Sequence, residues 1–227
     1  MTLLAMDTGQ AACSVALWRE GQVVAHRYVP MPKGHAVALV PMIEEVQNET
    51  GFAFAELDAL AVTVGPGTFT GLRVGLATAR GLALAANKPL IGVTTLEAIA
   101  WAAREEAEQK KALIAAAFDA RRNEVYLQSF GAHGEHLSEP MLADLEQCDS
   151  NVPASVSSVL CVGTGAELIA EKLKAAGRTV YLATAEPFPD ARAVAEIASS
   201  RDAVAGVLPD PLYIRAPDAK LPKAIFR

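Results

Sequence analysis

The chain states one structural plan twice, in the same order, and few folds can accommodate that. Leu3, Leu4, Ala5 and Met6 form an apolar run that ends in Asp7 and Thr8; a polar turn, a second apolar run over 13–18 and, after Gly21, a third over 23–29 follow. Residues 113–120 repeat the first run and its terminal aspartate, Asp119, with a second run over 125–130 and a turn at Gly134. Val62-Thr63-Val64-Gly65-Pro66-Gly67 has its counterpart in Leu160-Cys161-Val162-Gly163-Thr164-Gly165, and helical patterns follow both, over 72–86 and 166–176. Hairpin strands, helix, strand, Gly-x-Gly and helix, taken twice, predict an α/β fold of two duplicated lobes. Two such lobes face to face enclose a cleft with an aspartate and a glycine turn on each wall, which suits a nucleotide held between them. The candidate cleft residues are Asp7, Thr8, Gly65, Pro66, Gly67, Thr68, Asp119, Arg121, Gly163 and Gly165.

The stretch Gly65-Pro66-Gly67-Thr68-Phe69-Thr70-Gly71-Leu72-Arg73-Val74-Gly75 reads as strand, tight turn and helix start. Two readings of it compete. Glycines there allow backbone amides to converge on an anion at a helix N-terminus, or they only let the helix pack close to its strand. The spacing matches neither the phosphate loop, which ends in Gly-Lys-Ser/Thr, nor the dinucleotide fingerprint, which needs a third glycine at a fixed offset.

Bulk properties narrow the function classes. A chain of 227 residues suffices for two lobes of about 100 residues each. Cys13, Cys148 and Cys161 are odd in number and widely spaced, which favours buried free thiols in a reducing compartment over a disulfide framework. No cationic start precedes an apolar core of signal-peptide length, because Asp7 interrupts the first run. The most apolar helical run, 76–86, contains Arg80 and falls short of the roughly 20 residues a bilayer span needs. These features predict a cytoplasmic protein without a membrane partner. A formal charge of −6 argues against a free-standing RNA binder, since Lys and Arg supply most phosphate affinity.

The lobe boundary is expected at the charged stretch 105–111, dividing the chain into lobes of 1–108 and 109–227. Residues 144–158 have loop composition. Prolines 187, 189, 209, 211, 217 and 222 bracket one further helix over 191–200 and leave a tail that could return to the first lobe.

Particular words in the chain carry a family resemblance. Asp7-Thr8 with Cys13-Ser14-Val15-Ala16-Leu17, the Gly65–Gly75 stretch, Asp119-Ala120-Arg121-Arg122-Asn123-Glu124-Val125-Tyr126 and Pro211-Leu212-Tyr213-Ile214-Arg215 together resemble the TsaB family, also called YeaZ. That family has two duplicated RNase H-like lobes of the actin, sugar kinase and Hsp70 superfamily. The resemblance implies a non-catalytic partner in making threonylcarbamoyladenosine beside the anticodon of tRNA. The partners it implies are a TsaD-like paralogue, a TsaE-like ATPase in the assembled complex, a second copy of the chain when alone, and tRNA through the complex. It implies no intrinsic cofactor, with ATP or ADP held at the partner interface.

The residues themselves fit a cleft that has lost its chemistry. After Asp119 come Ala120, Arg121, Arg122, Asn123 and Glu124, which crowd a phosphate turn, although arginines can still pair with phosphate. TsaD-like proteins hold a metal through His-x-x-x-His just after the strand that follows the long helix; here those positions are Thr95 and Ile99, and Glu97 alone makes no metal site. His133 and His136 lie on a turn with no third ligand, and His35 reads as a helix-entry residue, since no Gly-x-Ser-x-Gly elbow presents a serine to it. No residue is assigned to catalysis or to metal. An autonomous nucleotide hydrolase or small-molecule kinase of the same superfamily is the alternative, and a peptidase using His35 or a serine is a third reading.

The helices predicted over 35–50 and 72–86 carry more apolar residues than one buried face requires. Leu39, Met42, Ile43 and Val46 on one and Leu72, Leu76, Ala79 and Ala83 on the other either fill the chain's own core or form a partner interface. The resemblance favours the interface.

Overall fold

The computed structural model describes residues 1–204 and 206–215. Its first sheet is built from β1 (Thr2–Asp7), β2 (Ala12–Arg19), β3 (Gln22–Pro30), β4 (Ala59–Gly65) and β5 (Leu90–Thr94), in the order β3-β2-β1-β4-β5. Strands β1 and β4 are mostly apolar, and every residue but Thr2 is buried, because each lies inside the sheet with both faces covered. β1 runs antiparallel to β2 and parallel to β4, with Leu4 opposite Leu17 and Leu60. The second sheet contains β6 (Leu113–Arg121), β7 (Glu124–Phe130), β8 (Met141–Asp144), β9 (Ser158–Val162) and β10 (Thr179–Leu182). Its order from the hairpin edge is β8-β7-β6-β9-β10, and Ile114 stands opposite Phe130 and Leu160. Both sheets therefore have one topology, two antiparallel pairings and then two parallel ones, and this is the α/β duplication that the repeated words predicted.

Helices α1 (His35–Thr50) and α2 (Phe69–Ala86) cover one face of the first sheet. Thr68 caps α2, its hydroxyl accepting from the Gly71 amide at 3.2 Å, and Asn87 ends the helix in the left-handed conformation. After β5 the chain forms α3 (Thr95–Ala102) and, following a break at Ala103, α4 (Arg104–Lys110). Helix α5 (Ala166–Ala175) covers the second sheet on the side where Cys148 and Cys161 are buried. The duplicated plan predicts a helix between β8 and β9 too, but Leu145–Asn151 forms a 3-10 segment, because its polar run offers no apolar stripe for an α-helix to bury.

Helix α6 (Ala191–Ser199) follows the second sheet in sequence but packs on β1 and β2 of the first, through Val194, Ala195 and Ala198. Helix α3 lies between the sheets, with Leu96 and Ile99 against Ile114, Phe118 and Leu160. The chain then returns along the first lobe. The Leu212 amide donates to the Val64 carbonyl at 2.7 Å, and Arg80 donates to the Pro209 carbonyl at 2.6 Å. Among the described residues no helix is long and apolar enough to cross a membrane.

Candidate functional site: the lobe junction and the outer helical face

Asp7 ends β1 and is fully buried. Its Oδ1 accepts from the Thr63 hydroxyl at 2.5 Å and from the Gly9 amide at 3.0 Å, whereas Oδ2 is buried with no partner. Burial pushes its carboxyl up to about 7, against the lowering effect of those hydrogen bonds. Asp190, the cap of α6, experiences the same desolvation, but His26 at 2.8 Å and Arg192 at 2.7 Å outweigh it and hold the carboxyl down at about 2.

The glycine turn of the first lobe is closed by its own chain. The Thr68 amide donates to the Gly9 carbonyl at 2.8 Å, the Thr8 hydroxyl donates to the Gly71 carbonyl at 2.7 Å, and the Thr95 hydroxyl donates to the Pro66 carbonyl. A Cβ at Gly67 would collide with the Gly9 carbonyl and one at Gly71 with the Thr8 carbonyl, so these glycines permit two backbone turns to touch. Of the two readings of this stretch, close packing is the one the geometry supports.

The second glycine turn is occupied in the same way. The Gly165 amide donates to the Ala117 carbonyl at 3.0 Å, and a Cβ at Gly163 would meet that carbonyl and the Ile99 Cδ1. Asp119 accepts from the Arg121 amide at 2.8 Å and pairs with its guanidinium at 3.2 Å, while the Asp119 amide donates to the Thr164 hydroxyl at 3.1 Å. The ten candidate cleft residues thus fall on two turns at matching strand ends, with Ile99 packed on one and Thr95 bonded to the other. One amide in each turn, that of Thr68 and that of Gly165, is bonded to a backbone carbonyl of the same chain.

The two positions where a metal would need histidines hold Thr95 and Ile99. Thr95 and Ile99 are buried in the contacts just described, and among the described residues no three His, Cys, Asp or Glu side chains gather around a point. His35 opens α1 with its Nε2 2.9 Å from the Gln10 carbonyl oxygen, which leaves it in a structural contact.

Glu97 has a larger part than its isolation in sequence suggested. Its carboxylate is buried, with Oε2 accepting from the Thr94 amide at 2.8 Å and Oε1 from His136 Nε2 at 2.9 Å and from Arg201. It joins α3, the second-lobe hairpin and the segment after α6. The Thr94-x-x-Glu97 capping box was legible in sequence, but the long-range partners were not.

The eight residues nominated for the partner interface are all buried: Leu39, Met42, Ile43, Val46, Leu72, Leu76, Ala79 and Ala83 lie in the chain's own core. They form the stripes that face the sheet, and this corrects their assignment to a surface. The outer face of the same helices is nevertheless apolar and small. Val37 is 80% exposed and Leu84 84%, and Val40, Ala77 and Gly81 are exposed beside them. A Cβ on Gly81 would meet nothing within 4 Å.

A family model described as "TsaD: tRNA N6-adenosine threonylcarbamoyltransferase" matches residues 30–219. The tRNA threonylcarbamoyladenosine biosynthesis protein TsaB of Escherichia coli (strain K12) is 44% identical over 126 residues, 56% of this chain and 53% of the relative. The chain spans about half the length of the curated TsaB relatives it matches. A solved structure described as an uncharacterized protein with similarity to peptidase YEAZ from Pseudomonas aeruginosa superposes with a TM-score of 0.79 at 31% identity, covering 94% of this chain and 99% of that one. YeaZ from the same organism gives 0.74 at 30% identity, covering 93% and 99%. With the doubled topology and the Gly65–Gly75 turn, these likenesses place the chain in the TsaB (YeaZ) family, within the wider TsaD family.

Proposed function

We propose that this chain is a non-catalytic subunit supporting threonylcarbamoylation of the tRNA adenosine beside the anticodon, and that it acts by binding a TsaD-like enzyme. The names of its curated relatives support the pathway. The observation that supports the non-catalytic part is the packing of the two glycine turns on their own chain, with the Thr68 amide bonded to the Gly9 carbonyl and the Gly165 amide to the Ala117 carbonyl. An autonomous hydrolase or kinase needs that space for phosphate.

The outer face of α1 and α2 is the proposed docking site, since Val37, Val40, Ala77, Gly81 and Leu84 lose apolar surface to water there and Gly81 lets a partner helix approach closely. The same face would pair two copies of the chain in the partner's absence. ATP or ADP belongs, in this reading, between the partners, and a TsaE-like ATPase joins the assembled complex in the cytoplasm. A peptidase reading gains nothing from His35, which is held at the Gln10 carbonyl.

The test is turnover. The isolated chain is expected to show neither ATP hydrolysis nor threonylcarbamoyl transfer, and to restore transfer when added to the TsaD-like enzyme with its threonylcarbamoyl donor. Steady ATP turnover that follows the chain through successive columns would contradict the proposal.

A further inference from the structure

The chain's return from the second lobe creates an edge unlike the rest of this acidic surface. Phe69 is 57% exposed and Tyr213 46% exposed; their rings lie 5.8 Å apart, and the Arg73 guanidinium sits 3.6 Å above the Phe69 ring. The Tyr213 hydroxyl accepts from Arg73 Nε at 3.4 Å. Two residues on, Arg215 donates to the Ala120 carbonyl at 2.7 Å and pairs with Glu124, joining this aromatic shelf to the β6–β7 hairpin. Two extended residues span at most about 7 Å, so shelf and hairpin are neighbours.

The hairpin tip holds Arg121, Arg122 and Asn123 with φ of 64°, 58° and 63°. Left-handed backbone at consecutive non-glycine residues is strained. Arg121 at this tip is 85% exposed. Asp119 and Glu124 offset Arg121 and Arg215, whereas Arg73 pairs with no carboxylate among the described residues. In a chain of net charge −6 this edge brings two exposed aromatic rings, tilted by 33°, together with an arginine over one of them.

We infer that the Phe69–Arg73–Tyr213–Arg121 edge binds a single-stranded stretch of the tRNA, a base stacking on the Tyr213 ring and phosphates meeting Arg73 and Arg121. Aromatic platforms flanked by arginines hold unpaired bases in this way, with no need for a sequence code. A docking helix is better served by the more apolar stretch of α1 and α2 around Val37, Val40, Ala77 and Gly81. The inference rests on the tRNA reading above.

The experiment uses the chain assembled with its TsaD-like partner and an unmodified transcript of a tRNA that reads codons starting with A. Binding is measured as salt is varied, for the wild-type complex, for Arg73→Gln with Arg121→Gln, for Tyr213→Ala and for Tyr213→Phe. The double variant is expected to lower the slope of log K against log salt by roughly 1.5 units, from two lost single-strand contacts. Tyr213→Ala should weaken binding about tenfold and Tyr213→Phe much less, since the ring is kept. Assembly with the partner, followed by sedimentation, should not change.

An unchanged slope and affinity overturns the inference. So does lost assembly, which would make the edge a protein interface, or a defect confined to ATP binding, which would make it a mononucleotide site. If the wild-type complex itself fails to bind the transcript, the functional reading falls with it; failure in the variants alone concerns the edge only.

Discussion

At the scale of single residues, Asp7 links structure to a measurable pH dependence. Its carboxyl is raised from 3.8 to about 7 by burial, so the unfolded chain ionises first as pH rises. The stability contribution is complete below about pH 4, declines through the interval up to about pH 7, and changes little beyond it. Asp190 acts in the opposite sense: held at about 2, it contributes stability above about pH 4 that is lost as pH falls towards 2. Asp7→Asn should therefore flatten the fall in melting temperature between pH 5 and 8, an effect on the order of a few kcal/mol at its upper bound. Parallel wild-type and variant curves over that interval would show that Asp7 does not titrate there. Gly71→Ala tests the closed turn: the added methyl meets the Thr8 carbonyl, and a loss of about 1–3 kcal/mol in denaturant unfolding is expected. An unchanged midpoint would mean that the turns are not in forced contact.

At the scale of elements, α1 and α2 show what a sequence reveals and where it stops. Their existence, and the excess of apolar residues on them, followed from periodicity. Periodicity could not say which stripe faces the sheet, because both stripes are apolar; Leu39, Leu72, Ala79 and Ala83 went inward, and Val37, Val40, Ala77, Gly81 and Leu84 stayed outside. Leu39→Glu consequently belongs to the core and should unfold the chain, as an unpaired charge at a fully buried site. Gly81→Arg should fold at least as well as wild type, since a glycine in a helix interior is replaced in open space. Circular dichroism melting distinguishes the two variants, and a folded Leu39→Glu would return that residue to the surface. The repeated strands and both glycine turns were legible for a similar reason: apolar runs and Gly-x-Gly are local signals. The link from Glu97 to His136 and Arg201 was not, because it joins residues 39 and 104 positions apart.

At the scale of the molecule, α3 packs on both sheets of one topology, and helix α6 crosses to the lobe that precedes it in sequence. Thr95 is bonded to the first glycine turn and Ile99 packs on the second, where histidines would be needed for a metal, and the proposed work of the chain rests on its free surface. Of the basic residues near the C-terminus, Lys220, Lys223 and Arg227 lie beyond the described residues, and Arg215 is paired with Glu124. The account's central claim is that this chain supports a TsaD-like enzyme through the outer face of α1 and α2 without chemistry of its own. The most direct measurement is threonylcarbamoyl transfer to tRNA by that enzyme, titrated with wild-type chain and with Gly81→Arg. Transfer should rise to a plateau near one wild-type chain per enzyme and stay at the enzyme-alone level with the folded variant. Equal transfer with Gly81→Arg would contradict the claim.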